Sequence, residues 1–266
     1  MKSLRILSLG AGVQSTTLLH LALAGEIPRP DYAIFADTGW ESMGVYGHLF
    51  DLEEASTIPV ETVSAGNIRD DCLSAVRGKS FGFASMPFFT PNGENIEGRL
   101  RRQCTREYKI EPITKKIREL LGVKRVTSQR IELQIGISLD EMRRCKKNRV
   151  PWITNTWPLI DLRMTRRDCR QWLEMHGKKI PQKSSCIGCP YHDDQWWVDC
   201  RENSPLEWQD AVSFDQQIRH LPRIKSPCYL HRSLLPLDEA IDQASKDNGQ
   251  KRFPFMLAEC EGMCGV

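Results

Sequence analysis

Short apolar runs alternate with longer stretches of helical spacing through the first half of the chain. Arg5 to Leu9 reads as a buried strand, and Ser15 to Leu23 repeats apolar residues at the spacing of a helix packed on a sheet. Between them lies the glycine-rich stretch Ser8-Leu9-Gly10-Ala11-Gly12-Val13-Gln14-Ser15, so the chain opens as strand, loop, helix. A second strand, Tyr32 to Ala36, runs into Asp37-Thr38-Gly39-Trp40-Glu41, and a third, Val60 to Val63, precedes the polar turn Ser64-Ala65-Gly66-Asn67. Strands separated by helices imply the α/β class: a doubly wound, mostly parallel sheet that binds ligands at the carboxyl ends of its strands.

Further along, Gly78 to Gly98 is rich in Gly, Phe and Pro without periodicity and reads as a long loop, either a cover over a site or a surface excursion. A helix is expected over Lys109 to Leu121, a strand around Leu133 to Ile137 and a helix over Met164 to His176. The remaining chain carries Ser184-Ser185-Cys186-Ile187-Gly188-Cys189-Pro190, the pair Trp196-Trp197 and the tail Cys260-Glu261-Gly262-Met263-Cys264-Gly265-Val266. The expected organisation is an α/β domain over 1–180 and a cysteine-rich region over 181–266 packed on the same domain.

With 266 residues, 40% of them hydrophobic and 27% charged, the chain can bury a substantial core and is not a disordered sequence. Its formal charge of +3 is too small to imply a nucleic-acid partner. The clusters Arg99-Leu100-Arg101-Arg102, Arg143-Arg144-Cys145-Lys146-Lys147 and Arg166-Arg167 read as solvated faces. The start lacks a secretory pattern and no stretch is long and apolar enough for a bilayer, so a soluble cytoplasmic protein without a membrane partner is expected. In that compartment the ten cysteines are thiols or ligands rather than disulfides. Cys72, Cys145, Cys169 and Cys200 stand in ordinary helical or loop contexts and are assigned to packing or surface.

The candidate chemistry begins at the glycine loop. Backbone N–H groups of Gly10, Ala11 and Gly12, with the hydroxyls of Ser8 and Ser15, suit a phosphate or sulfate at a helix start. The loop lacks the Gly-Lys-[Ser/Thr] ending of the usual P-loop and the G-x-G-x-x-G of a dinucleotide fold; a tight turn without ligand is the alternative. Asp37, Thr38 and Gly39 at the next strand end suit a ribose or a metal, or ordinary turn chemistry. Cys186-x-x-Cys189 has the spacing by which one turn presents two thiolates to zinc or iron. Cys104, flanked by cations, is the third candidate, Cys260 and Cys264 offer a fourth ligand or a mobile nucleophile, and free structural thiols are the alternative. Of the six histidines only His192, beside the C-x-x-C, stands near this chemistry.

In this order the motifs resemble the phosphoadenosine phosphosulfate (PAPS) reductase family of the PP-loop, or adenine nucleotide alpha hydrolase-like, superfamily. Ser8 to Ser15 resembles its phosphate loop, with Gln14 as in loops of the G-I-Q type, and Asp37-Thr38-Gly39-Trp40-Glu41 its D-T-G-x-E strand end. Cys104-Thr105-Arg106-Glu107-Tyr108-Lys109-Ile110-Glu111-Pro112 is similar to its cysteine and proline motif before a helix. Gly136-Ile137-Ser138-Leu139-Asp140-Glu141 resembles its G-I-R-x-D-E segment, and Trp157-Pro158-Leu159-Ile160-Asp161 its P-[IL]-x-D-W-[ST] stretch. The sequence departs from the family in three places: Gln103 stands where a further cysteine would be, Ser138 replaces the arginine of G-I-R, and Met263-Cys264-Gly265-Val266 only partly matches an E-C-G-[IL]-H tail.

The resemblance implies a PP-loop fold and an enzyme acting on an adenine nucleotide (PAPS, adenosine phosphosulfate or ATP) through Ser8, Gly10, Ala11, Gly12, Gln14, Ser15, Asp37, Thr38 and Gly39. It implies a [4Fe–4S] cluster on Cys104, Cys186 and Cys189, with Cys260 as fourth ligand, and Cys264 as the nucleophile that takes the sulfo group and passes it to a dithiol or other electron donor. Arg101, Arg102 and Arg106 would offset charge on the leaving group. The rival reading is ATP-dependent thiolation, a sulfurtransferase with a three-cysteine cluster, Mg2+ where ATP is cleaved, and a nucleic acid among its acceptors. A third is a zinc-stabilised nucleic-acid-binding module.

Overall fold

The computed structural model describes residues 4–76, 86–92, 96–122, 130–222 and 224–246. In chain order its elements are β1 (Leu4–Leu9), α1 (Val13–Ala24), β2 (Tyr32–Asp37), α2 (Met43–Ala55), β3 (Val60–Ser64), α3 (Ile68–Val76), β4 (Phe89–Asn92), β5 (Ile96–Arg99), α4 (Glu111–Leu120), β6 (Ile131–Ile135), β7 (Ile153–Thr156), α5 (Pro158–Asp161), α6 (Arg166–Met175), α7 (Asp194–Asn203), α8 (Pro205–Gln217) and α9 (Leu237–Lys246). A π-helical turn, Thr105–Ile110, leads into α4, and a 3-10 turn, Leu139–Arg144, follows β6. Contacts divide the described residues into two compact units: one formed by 4–65 with Thr105–Ser184, the other by Gly66–Cys104 with 185–246. The expectation from sequence had one boundary, at 180/181.

The first unit is built on a five-stranded sheet in the order β3-β2-β1-β6-β7, parallel throughout. Its central strands are buried on both faces, which is why β1 and β2 read as almost continuous apolar runs. Alternation still sorts the side chains. Leu7 and Leu9 of β1 join a cluster with Leu18 and Leu19 of α1, Leu49 of α2 and Leu173 of α6, while Ile6 joins Ile113 and Ile117 of α4 with Leu133 and Ile135 of β6. Helices thus cover both faces, and the expected α/β, doubly wound sheet is the one that forms.

Helix α1 is buried from Val13 through Ala22, as a helix between a sheet and α6 must be. Its polar residues are therefore partnered: the Thr17 hydroxyl donates to Val13 O at 2.8 Å, and Thr16 Oγ1 lies 3.0 Å from His48 Nε2. Burial pushes His48 below its usual pKa, and burial together with the charge of Lys178 brings His20 down to about 4.

The second unit packs α3, α7, α8 and α9 around Trp197, Phe88 and Phe214, all fully buried, with the Phe88 and Phe214 rings 6.0 Å apart. Part of the stretch expected as a long loop is ordered differently: β4 and β5 form an antiparallel hairpin pairing Phe89 with Arg99 and Thr90 with Gly98. Phe89 also exchanges two 2.9 Å backbone hydrogen bonds with Tyr229. Pairing to a distant partner overrides the lack of local periodicity there. Residues 77–85 and 93–95 of that stretch, like the tail with Cys260 and Cys264, lie outside the described residues. Among the described residues no helix is long and apolar enough to cross a membrane.

Candidate functional site

From β1 the chain steps outward through β2 to β3, then returns to the other side of β1 with β6 and β7. The direction reverses between β1 and β6, and at such a switch point the two flanking loops leave in opposite directions and open a crevice at the strand ends. The β1–α1 loop and Gly136-Ile137-Ser138 both stand there. Gly136 comes so close to α1 that a Cβ on it would sit 2.9 Å from Ser15 N. The loop is rigid for the same local reasons. Ser15 Oγ accepts from Gly10 N at 3.1 Å and donates to Gly12 O at 3.3 Å, and the Ser184 hydroxyl donates to Gly10 O.

Ala11 is fully buried and holds φ at +55°, a left-handed conformation that costs an alanine of order 1 kcal/mol and tends to occur where geometry matters. Gly12 occupies the N-cap position of α1 and supplies no side-chain cap, so the first N–H groups of the helix are left to another acceptor.

Gln14 is fully buried, and its amide is a crosslink. Nε2 donates to Glu141 Oε2 at 2.8 Å and to Ser138 Oγ at 3.3 Å, while Oε1 accepts from Arg166 Nη1 at 3.1 Å. Glu141 pairs with Arg144, and Arg166 N donates to Asp140 at 3.1 Å. This network ties the start of α1 to the 3-10 turn and to the start of α6. The role of Ser138, Glu141, Arg144 and Arg166 as its members was not foreseen, although Gly136 to Glu141 had stood out as a motif.

On the neighbouring strand β2, Asp37 Oδ1 accepts from Gly39 N and from the Tyr46 hydroxyl, both at 2.8 Å. Gly39 supplies the positive φ of 72° that this turn requires. Burial, and then the hydrogen bond to Asp37, push the Tyr46 phenol above its ordinary pKa, so it stays a donor. The Thr38 hydroxyl donates to Glu41 at 3.0 Å, and Lys109, from the π-helical turn, brings its ammonium to 3.9 Å of the same buried carboxylate. Because β1 and β2 pair in parallel register, the Gly10–Gly12 and Asp37–Gly39 turns lie side by side on one edge. Ser8 lies within β1, buried between Ile34 and Ile135. Tyr46 and Lys109 gave no sequence signal beyond their positions near the motifs.

Cys104, Cys186 and Cys189 belong to the second unit. Cys189 N donates to Cys186 O at 3.0 Å, making the C-x-x-C a tight turn. His192 closes it, since Nε2 lies 2.9 Å from the carbonyl of Cys186 while the ring stacks on Trp196, centroids 3.3 Å apart. A carbonyl only accepts, so Nε2 carries the proton. The guanidinium groups of Arg99 and Arg102 stand 5.5 and 5.3 Å from the Tyr191 ring centroid. Burial raises its phenol pKa, with the charges of Arg102 and Arg99 acting in the opposite direction. Arg106 is paired with Glu111 in the first unit. Among the described residues, no group of three or more His, Cys, Asp or Glu side chains is arranged to hold a metal ion.

Fold and loop together define a doubly wound α/β unit with a glycine-rich turn at its switch point. No protein-family model matches the chain, and no curated protein matches it. Among solved structures it is similar to a phosphoadenylyl-sulfate (PAPS) reductase from Candida auris in a phosphate complex, with a TM-score of 0.41 and 11% identity over 70% of this chain and 81% of that one.

Proposed function

We infer that the protein is a PAPS reductase-like enzyme whose β1–α1 loop binds the phosphate or sulfate of an adenine nucleotide. The observation that carries the reading is the start of α1: N–H groups without a side-chain cap, on a loop fixed by Ser15 and Ser184, at the switch point of the sheet. Asp37 supports the same reading. Its Oδ1 is committed to the turn, which leaves Oδ2 as the oxygen for a ribose hydroxyl on the adjoining strand end.

In the reaction, the thiolate of Cys264 attacks the sulfur of an adenylyl sulfate. The new S–S bond forms as the S–O bond to the nucleotide breaks, and the nucleotide leaves with both electrons as its phosphate. A dithiol then attacks the cysteine sulfur of the S-sulfo adduct, releasing sulfite and the Cys264 thiolate as the dithiol is oxidised to a disulfide. Cys104, Cys186, Cys189 and Cys260 would hold the iron–sulfur cluster that the family resemblance implies, although among the described residues no three such side chains are arranged around one metal position. Iron and sulfide counts on anaerobically purified protein, wild type against Cys186→Ser, test that assignment.

The deciding experiment incubates the protein with a dithiol and, separately, with adenosine phosphosulfate, PAPS and ATP. Sulfite from one of the sulfated nucleotides, abolished by Cys264→Ser with nucleotide binding retained, is expected. Pyrophosphate and AMP from ATP without sulfite would replace the reading with adenylation for sulfur transfer.

A further inference from the structure

The small overall charge conceals a strong local one. Between Leu139 and Arg170 stand nine basic residues against four acidic ones, whereas the whole chain carries only +3. Seven of the nine cations are exposed: Arg143, Lys146, Lys147, Arg149, Arg163, Arg167 and Arg170. Among the described residues none of these seven takes part in an ion pair. The acidic side chains of the segment are occupied: Glu141 binds Gln14 and Arg144, Asp140 accepts from Arg166 N, and Asp168 caps α6 from within, its pKa held low by Thr165. Asp161 is the remaining one.

One backbone and one side-chain hydrogen bond bring the segments that carry these cations to one border of the first unit. Leu139 N donates to Met164 O at 2.8 Å, joining the 3-10 turn to the turn between α5 and α6. The Asn155 amide on β7 donates to Lys146 O at 3.0 Å, holding the chain after the 3-10 turn along the edge strand of the sheet. Arg167 and Arg170 lie one turn apart on α6. Arg163 supplies an independent sign. It holds φ at +56° just past the end of α5, where glycine would be cheaper, so a long cationic side chain is kept at a position whose backbone disfavours it.

We propose that this border, from the 3-10 turn along β7 to the start of α6, is a docking surface for the sugar-phosphate backbone of a nucleic acid. The cations come from the 3-10 turn, the loop after it, the turn between α5 and α6 and α6 itself, a spread that suits a polymer of phosphates rather than a single anion. Arginine dominates the set and matches phosphate with paired donors. Met142 and Leu162 are the exposed large apolar residues of the segment, less than the apolar face that holds a helix on a membrane. The proposal goes beyond the loop's nucleotide and does not depend on it.

The test measures anisotropy of fluorescein-labelled single-stranded RNA, single-stranded DNA and duplex DNA with the full-length protein over a salt series. The comparison variant carries Arg143→Ala, Lys147→Ala and Arg167→Ala together, and thermal melting checks its fold. These residues lie outside the Gln14 network, so phosphate binding at the loop, followed by calorimetry, is expected to stay unchanged. At least one nucleic acid should bind, with at least tenfold weaker binding by the variant at low salt. The slope of log affinity against log salt should become shallower by about 2, at roughly 0.7 per lost phosphate contact on a single strand. The RNA and DNA arms tell which polymer is preferred. No binding at low salt, binding unaffected by the substitutions, or binding only to vesicles of anionic lipid would overturn the proposal.

Discussion

Replacing Gly136 by alanine tests whether the β6 end sets the position of the β1–α1 loop. The new methyl would stand 2.9 Å from Ser15 N, 3.2 Å from the Gln14 carbonyl carbon and 3.2 Å from Ser15 Cα. All three atoms are backbone, so no side chain can rotate away, and relief requires α1 or the β6 end to move by about half an ångström. Overpacking of this kind costs about 1–3 kcal/mol. The displaced groups are the N–H donors at the helix start, and the Gly10 and Gly12 bonds to Ser15 move with them. Urea unfolding should show the stability loss at pH 7, and calorimetry with phosphate and with an adenylyl sulfate should show affinity falling about tenfold, or 1.4 kcal/mol. Unchanged stability together with unchanged affinity would refute the argument, because it would mean that the contact is relieved without reaching the loop.

Two further outcomes follow from buried histidines. The His20 pKa lies near 4 in the folded protein against 6.5 for the free side chain, so the unfolded chain binds the proton first. The stability linked to neutral His20 is complete above pH 6.5 and falls away as pH drops toward 4, by at most about 3 kcal/mol, with His48 adding in the same direction. Urea midpoints across that range should fall in wild type and fall less in His20→Gln; parallel curves would contradict the assignment. His192→Phe keeps a ring on Trp196 but removes the Nε2 bond to Cys186 O, and Cys186 should then alkylate faster with iodoacetamide while the melting temperature changes little. Equal alkylation rates would show that the bond does not hold the turn.

Much of the sheet was legible because its strands are buried on both faces and its helices obey one period. Arg5 to Leu9 and Tyr32 to Ala36 announced themselves as apolar runs, and the loop between β1 and α1 by its glycines. The edge strand β7 was missed: Ile153-Thr154-Asn155-Thr156 is short and half polar, and it earns its place by pairing with β6. The β4–β5 hairpin was missed for a related reason, since Phe89 answers to Arg99 and Tyr229 rather than to its neighbours. At the site, residue type pointed to the loop and to Asp37. The contacts of Gln14 with Glu141 and Arg166 depend on segments far apart in sequence, which no local spacing encodes.

The second unit is assembled from two stretches separated by most of the first unit's sequence. During synthesis Phe88 and Phe89 leave the ribosome long before Phe214 and Tyr229 exist to receive them. The nascent chain therefore carries sticky aromatic residues in waiting while α4, β6 and β7 complete the sheet around β1. Truncation anywhere before α8 strands those residues without a berth, so shortened versions of this protein should precipitate or recruit chaperones even when their sheet is whole.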